Sequence, residues 1–339
     1  MKRYIYILLL SVCYTSSFSQ NYTVSKKITI AGDEGWDYLT VDNVNQNLFV
    51  SHGSVVNVVD LKTDKTIATV QDTKGVHGIA IANDLNKAFI SCGKDNSVSV
   101  INLKTFELIE KIKIEGQKPD AILYDQFSHY VLTYNAKSSD ATVIDANTNK
   151  VIKTIPLGGK PEFSVTNTKG LIYVNIEDKN EIKTIDTKTL EVINTWPIAP
   201  GDEPSGLAID IQNNILFSVC SNKLMVIIDA STGKIIQTVP IGDGCDGVAF
   251  DAKKKMVFSS NREGTITAVK EENNKNFSVA QTITTQKGAR TITINPTTSE
   301  LYTPTAAFGA RPEPTTENPK PRAGLTPNSF TVLVVENSK

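Results

Sequence analysis

A short segment recurs seven times along this chain and constrains the fold more than any other feature. Each copy begins with a polar residue and continues into an apolar run, as in DGVAFD at 246–251. Successive copies begin 40, 43, 42, 43, 41 and 44 residues apart. A period in the forties with several short strands per unit is typical of a β-propeller blade. The copies begin at Asp37, His77, Asp120, Glu162, Ser205, Asp246 and Arg290.

The unit that begins at Ser205 shows what each repeat contains. GLAID, ILFSVC, LMVIID and KIIQTVPI read as four short strands separated by turns. The turn before the fourth strand opens on Asp or Asn in most units, and these side chains accept backbone N–H groups two residues on. The sequence therefore predicts an all-β, seven-bladed propeller with four antiparallel strands per blade. An immunoglobulin-like sandwich also has short strands, but it has no reason to repeat at this period.

The last unit supplies only three strands, RTITIN, ELYTPT and SFTVLVVE. We expect the N-terminal segment 23–30 (TVSKKITI) to be its fourth strand, which would close the ring and protect both sheet edges. Residues 20–339 are then one domain. A Pro-rich insertion at 305–329 interrupts the last blade, and it is either a lid over the channel or a solvated excursion.

The first 19 residues read as a signal peptide. Lys2 and Arg3 precede an apolar run from Tyr4 to Cys13, and small residues precede Gln20. The run is too short to span a bilayer, and a lipoprotein anchored through Cys13 is disfavoured because Val12 occupies a position that requires a small residue. We expect a periplasmic or secreted protein. A formal net charge of −1 provides no basic footprint for nucleic acid.

Three cysteines follow the leader, Cys92, Cys220 and Cys245. Cys220 ends a second strand and Cys245 starts the next first strand, so both are expected on one face in adjacent blades. They are either a disulfide or two thiols able to bind a soft metal, and Cys92 stays single.

The recurring segments LFVSHGSVVNVVDLKTDKTI, AFISCGKDNSVSVINLKTFEL and LFSVCSNKLMVIIDASTGKI resemble the YVTN repeat of the YncE-like family of bacterial seven-bladed propellers. The resemblance covers about residues 30 to 335 and departs where His52, Cys92 and Cys220 replace the expected Asn. The resemblance implies that the protein is exported, and it indicates little about any reaction. Val-His-Gly-Ile at 76–79 is similar to a strand start of streptogramin lyases and gluconolactonase-type propellers, which implies metal-assisted lactone chemistry.

In an up-and-down blade, the first strands start on the face where the second strands end. We call this face the mouth, and the seven residues that begin the repeats the first ring. His129 is expected on the opposite face. A second ring of candidate ligand-binding residues comprises His52, Cys92, Tyr134, Asn175, Cys220, Asn261 and Thr305, with Glu177 behind Asn175.

The first ring is rich in acids. Asp37, Asp120 and Glu162 form an arc with His77 inside it, and carboxylates this close repel each other unless a proton or a cation intervenes. His77, Asp120 and Glu162 could bind Zn²⁺, Mn²⁺ or Ca²⁺, although no HxxxH, CxxC or EF-hand spacing supports a metal and a solvated channel is the alternative.

Two functions remain open. In the first, the protein is a ligand-binding or interaction module of the cell envelope that holds a small molecule or a peptide at the mouth. In the second, it is a divalent-metal-dependent lactonase or lyase with His77 or Glu162 as general base. A triad using Ser205 would have to span distant blades. No motif demands chemistry, which favours the first function; whether any reaction is catalysed and the oligomeric state stay open.

Overall fold

The computed structural model describes residues 21–272, 276–316, 319, 321 and 323–338. The predicted signal peptide and Cys13 lie outside these residues. In the described part, seven four-stranded antiparallel sheets contain 28 strands. Two one-turn 3₁₀ helices occupy Asn83–Leu85 and Glu177–Lys179.

Every blade runs from an inner strand at the channel to an outer strand at the rim. β1 (Asn21–Thr29) precedes the first blade. The first blade contains β2 (Trp36–Asp42), β3 (Asn47–His52), β4 (Val55–Asp60) and β5 (Lys65–Val70). The second contains β6 (Val76–Ala82), β7 (Lys87–Cys92), β8 (Ser97–Asn102) and β9 (Leu108–Lys113). The third contains β10 (Pro119–Asp125), β11 (Tyr130–Asn135), β12 (Asp140–Asp145) and β13 (Lys150–Pro156). The fourth contains β14 (Pro161–Thr166), β15 (Leu171–Ile176), β16 (Glu181–Asp186) and β17 (Glu191–Pro197). The fifth contains β18 (Pro204–Asp210), β19 (Ile215–Cys220), β20 (Leu224–Asp229) and β21 (Ile235–Pro240). The sixth contains β22 (Cys245–Asp251), β23 (Met256–Asn261), β24 (Thr265–Glu271) and β25 (Phe277–Thr284). The seventh contains β26 (Thr293–Ile294), β27 (Leu301–Thr305) and β28 (Thr331–Ser338).

The ring is closed by the N-terminal strand, as predicted. β1 pairs antiparallel with β28 from Asn21 opposite Ser338 to Thr29 opposite Thr331, and β26 contacts β2 on the channel side. The outer edge of β28 is therefore covered rather than left with unpaired N–H and C=O groups.

The core is divided among the interfaces between blades. Seven apolar clusters are present in the described part of the chain, and each lies between two adjacent blades, although the cluster between the third and fourth blades also includes Tyr38 of the first. A phenylalanine recurs at the third position of four second strands, as Phe49, Phe89, Phe217 and Phe258, all fully buried. Each blade therefore needs both neighbours, since a single sheet cannot cover its own apolar faces.

The predicted turn chemistry is confirmed. The Asp60 carboxylate accepts the N–H groups of Lys62 and Thr63 at 2.9 and 2.8 Å. Asn102, Asp145 and Asp229 make the equivalent pairs of bonds. These turns lie opposite the mouth and fix the register of the outer strands.

The seventh blade departs from the other six. Its inner strand was expected from Arg290 onwards, but β26 comprises only Thr293 and Ile294. Pro304 lies where the pairing with β27 would continue towards the mouth, and it has no N–H to contribute. The Pro-rich insertion leaves this strand after Thr305 and returns at Thr331.

Candidate functional site

The first-ring residues are placed by β-bulges. In each of the first six blades, the register between the first and second strands shifts at the ring residue. In β2, for example, Trp36 pairs with His52 but Leu39 pairs with Val50, so Asp37 and Tyr38 lie in the irregular stretch. A bulge redirects a side chain away from the regular pleat. The polar residue before each apolar run is the sequence signal for it.

Side chains of the second strands hold the neighbouring ring residues at fixed spacing. The Ser91 hydroxyl donates to the backbone carbonyl of Asp120, and Ser260 makes the equivalent bond to Arg290. The Asn175 amide donates to the carbonyl of Ser205 at 2.9 Å. Each of these bonds joins two adjacent blades, so the mouth is rigidly spaced.

Five first-ring side chains form a continuous charged chain. The Arg290 guanidinium lies 3.2 Å from Asp246 Oδ2 and 3.2 Å from Asp37 Oδ1. The other oxygen of Asp37 lies 2.6 Å from His77 Nδ1, and Asp120 Oδ1 lies 3.4 Å from the same nitrogen. One ligand atom from each of Asp37, His77 and Asp120 lies within 4.8 Å of the others, which makes these three a candidate metal-binding group.

The two remaining first-ring residues have other partners. Glu162 Oε1 lies 2.8 Å from Lys160 Nζ, which also pairs with Glu177. Ser205 donates to Asp246 at 2.6 Å. Of the predicted ligand set, the structure groups His77 and Asp120 with Asp37, while Glu162 pairs with a lysine.

Lys118 and Lys160 also contact first-ring acids, but the sequence analysis did not identify them as site residues. Each precedes a ring acid by two positions, and Lys118 Nζ lies 3.9 Å from Asp120 Oδ2. Alternate residues of a strand point to the same side. A basic residue two positions before a first-ring acid is therefore the sequence signal that would have identified Lys118 and Lys160.

The protonation of the ring reflects crowded charge. Burial opposes a proton on His77, but its hydrogen bond with Asp37 and the charge of Asp120 raise its pKa above the ordinary value. Burial, together with nearby acids, also raises the pKa of Asp120 and Asp246. Burial and the charge of Asp120 raise the pKa of Glu162 to about 8, against the opposing effect of Lys160. The ring therefore retains protons that an incoming cation would displace.

An open cavity and an apolar channel border the ring. The cavity measures about 720 Å³ and is lined by Asp37, His77, Lys94 and Lys118 among others. Below the ring, Tyr38 packs on Phe163 with ring centroids 5.3 Å apart, and the channel continues as a space of about 530 Å³ with mostly apolar walls. Charged groups that could recognise a ligand are thus concentrated at the mouth.

The second ring is buried between the blades. All seven of its members are at most 2% exposed. His52 stacks on Phe330 with centroids 4.1 Å apart, and Asn261 donates to Thr265 and Thr267. Thr305 donates to the backbone carbonyl of Lys287 at 2.9 Å. In this structure these side chains brace the blades, and Glu177 lies beside Lys160.

The predicted disulfide between Cys220 and Cys245 is not formed. Cys92, Cys220 and Cys245 are free, buried thiols. Cys220 belongs to the cluster between the fourth and fifth blades, whereas Cys245 belongs to the cluster between the fifth and sixth. The fifth sheet therefore separates the two side chains, although the Cys245 thiol donates to the Cys220 carbonyl at 3.1 Å.

His129 lies in the turn between β10 and β11, on the face opposite the mouth. Its side chain is 46% exposed and contacts Tyr124 and Asp84. It takes no part in the candidate site.

Comparisons with known proteins establish the fold. The chain is similar to Kuenenia stuttgartiensis hydrazine synthase with a TM-score of 0.71 and 16% identity, over 81% of this chain and 94% of that one. It is similar to the WD40 repeats of RRP9 with a TM-score of 0.77 and 7% identity, over 94% and 100% of the two chains. At these identities, the likeness shows a β-propeller and no shared chemistry.

Two curated proteins are distantly similar in sequence. Antigen Lp49 of Leptospira interrogans is 22% identical over 244 residues, which is 66% of this chain and 51% of that protein. The U3 small nucleolar RNA-associated protein 18 homolog of Arabidopsis thaliana is 24% identical over 177 residues, which is 49% of this chain and 32% of that protein. The chain thus spans about half or less of these relatives, and no family model matches it. In the described residues, no helix is long and apolar enough to cross a membrane.

Proposed function

We propose that this propeller is a ligand-binding module that captures a divalent metal ion, or a ligand carrying a cationic group, at its mouth. The observation that carries the proposal is the convergence of Asp37, His77 and Asp120 from three adjacent blades, with ligand atoms within 4.8 Å of one another. Their side chains are 11 to 24% exposed, so a solute can reach them.

The geometry indicates how binding would compete with protons. Two ligands of a tetrahedral Zn²⁺ lie about 3.3 Å apart, because each bond is about 2.0 Å long. Asp37 and His77 are closer than that, at 2.6 Å, because they share a hydrogen bond. A cation has to displace this proton and part the two side chains by less than about 1 Å. Affinity therefore rises with pH.

Calorimetric titration with Zn²⁺, Mn²⁺ and Ca²⁺ in turn tests the site. We expect Asp120→Asn to abolish binding while leaving the fold intact, because the charged groups near its carboxylate in the described part of the chain are those of His77 and Lys118. Glu110→Gln is a matched control on β9, where Glu110 accepts a bond from Asn149 at 3.1 Å. Equal metal responses in the wild type, Asp120→Asn and Glu110→Gln would overturn the proposal.

Glu162→Gln separates the two possible ligand sets. If Asp37, His77 and Asp120 hold the ion, this variant binds it with nearly wild-type affinity. If Glu162 replaces Asp37 as a ligand, as the sequence suggested, binding is lost. Either result identifies the third ligand of a site that Asp120→Asn has shown to exist.

A metal-dependent lactonase or lyase is a second candidate, favoured by the Asp37–His77 hydrogen bond. A carboxylate on Nδ1 orients the imidazole and leaves Nε2 for proton transfer or for a metal, and His77 lines the cavity. Lactone hydrolysis by the metal-treated protein that disappears in His77→Gln would support this function. Metal binding without turnover would restrict the protein to the first.

We place this function outside the cytoplasm. The basic and apolar leader at residues 1–19 and the resemblance of the repeats to exported YncE-like propellers support export. Fractionation of a bacterial host that expresses the full chain, with a variant lacking residues 2–19 as control, tests the assignment. Retention of both proteins in the cytoplasm would contradict it.

A further inference from the structure

A second cavity of about 900 Å³ lies beside the mouth, between the Pro-rich insertion and the sixth and seventh blades. Two segments of the insertion form one wall: Phe308 bridges to Leu325, and Gly309 N–H donates to the Gly324 carbonyl at 2.9 Å. Phe308 packs against Trp36 with ring centroids 6.2 Å apart. A volume of this size suits a small organic molecule.

The charge of this cavity is opposite to that of the acidic arc. Four cationic residues line it, Arg262, Lys287, Arg290 and Arg311, and no Asp or Glu is among the described residues that do. The whole chain has 35 basic and 36 acidic residues, so its composition does not explain the bias. Cations that share a cavity repel one another, and an anion relieves this repulsion.

Arginine is rare in this chain, yet three arginines line this cavity. The chain has only five arginines against thirty lysines. Arg3 lies in the leader and Arg322 outside the described residues, and the other three all line this cavity. Arginine is the residue suited to planar, bidentate recognition of carboxylate and phosphate groups.

The walls also offer apolar and hydrogen-bonding surface. Trp36, Phe308 and Leu325 line the cavity, and Trp36 stacks on Phe330 with centroids 5.6 Å apart, which holds the indole in place. The indole N–H is buried without a hydrogen-bond partner in the described part of the chain. Arg311 is oriented by a bond of 2.9 Å from Nε to the Pro321 carbonyl.

We propose that this cavity binds a small organic anion, a carboxylate or phosphate that carries an aromatic or similarly flat apolar group. The guanidinium groups contact the anionic head, and the flat group packs against the apolar wall that Trp36 and Phe308 form together. The site adjoins the proposed cation site, because Arg290 lines this cavity and also pairs with Asp37. It also gives the insertion a role as a wall of a binding site.

Tryptophan fluorescence tests the proposal directly, because the chain has only two tryptophans. Trp196 stacks on Tyr173 away from this cavity, so in a Trp196→Phe background the emission reports Trp36. The probes are phenyl phosphate and benzoate, with benzyl alcohol as the uncharged analogue. We expect saturable changes with the anions and none with the alcohol, and the tighter anion identifies the preferred head group.

Variants of Arg311 make the result specific. Arg311→Gln should weaken anion binding about tenfold, in line with the loss of a charged hydrogen bond, and Arg311→Lys should weaken it less. Lys104→Gln, in a turn on the opposite face, should bind like the wild type. The proposal is overturned if benzyl alcohol binds as well as the anions, if no probe alters Trp36 emission, or if both Arg311 variants, with melting curves like the wild type, bind with unchanged affinity.

Discussion

At the scale of single residues, charged side chains at the mouth are linked in a row by ion pairs and hydrogen bonds. His77 lies between the carboxylates of Asp37 and Asp120, and Arg290 lies between Asp37 and Asp246. Each acid has a partner, yet burial raises the pKa of Asp120, Glu162 and Asp246 because water is largely excluded. This combination makes the ring sensitive both to pH and to cations.

The first prediction concerns pH and stability. The folded-state pKa values of His77, Asp120 and Glu162 lie above their unfolded values, so the folded chain holds extra protons and this stability is lost as the pH rises. Between pH 5 and 9 we expect the free energy of unfolding to fall by roughly 4 kcal/mol, at about 1.4 kcal/mol per pKa unit and with the pKa of Glu162 at about 8. Chemical denaturation at several pH values measures it. Asp120→Asn with Glu162→Gln should flatten the decline, whereas a parallel decline in this variant would show that other groups cause it.

The second prediction concerns the cysteines. Burial raises the pKa of Cys220 to about 12 and also raises the pKa of Cys92 and Cys245. In a chain that starts at residue 20, we expect no reaction with a thiol reagent in the native state and three reactive thiols after denaturation without reductant. A single thiol under the second condition would restore the Cys220–Cys245 disulfide.

At the scale of elements, the first strands and their bulges set the geometry of the site. The sequence located the first ring because every repeat marks the start of an inner strand with a polar residue. The second-ring residues were expected to face the channel, but their side chains lie between blades. The ends of the second strands have no bulge, so the regular alternation of the strand directs side chains such as His52 and Asn261 towards the neighbouring blade. The separation of Cys220 from Cys245 has the same cause. Sequence spacing gives adjacency of blades, but not which face of a sheet a side chain occupies.

The third prediction tests the closing strand. Deletion of residues 21–31 removes β1 and exposes the edge of β28, together with the apolar cluster that contains Ile28, Ile30 and Phe330. We expect aggregation or loss of cooperative unfolding. The measurement is a melting curve followed by circular dichroism, together with size-exclusion chromatography. A truncated protein that elutes and melts like the full domain would contradict the closure of the ring by β1.

The fourth prediction concerns the insertion. Gly288 has φ +94°, and a Cβ there would come within 2.7 Å of the Phe308 ring. Gly288→Ala should therefore displace the insertion and destabilise the protein by about 1 to 3 kcal/mol. Phe308→Ala combined with Gly288→Ala should recover part of that loss, because the clash is gone. Equal stability of Gly288→Ala and the wild type in denaturant would mean that the insertion does not pack here.

At the scale of the whole molecule, seven blades that cannot stand alone build one rigid ring. Repeat spacing, turn chemistry and the missing fourth strand of the last unit were enough to predict this ring. The charge balance of the mouth was missed because the sequence analysis considered only the first-ring positions, whereas Lys118 and Lys160 lie two residues before a ring acid. The basic cavity beside the mouth likewise depends on how the insertion folds back onto the seventh blade.

The measurement that tests the central claim most directly is the number of protons released when a divalent cation binds. Calorimetric titration at pH 7 in two buffers of different ionisation enthalpy gives this number for the wild type and for Asp120→Asn. Because the raised pKa values of His77 and Asp120 leave protons on the ring, we predict saturable binding with proton release in the wild type and neither in the variant. Binding heats that are identical in both buffers and both proteins would contradict the assignment of the mouth as a cation site.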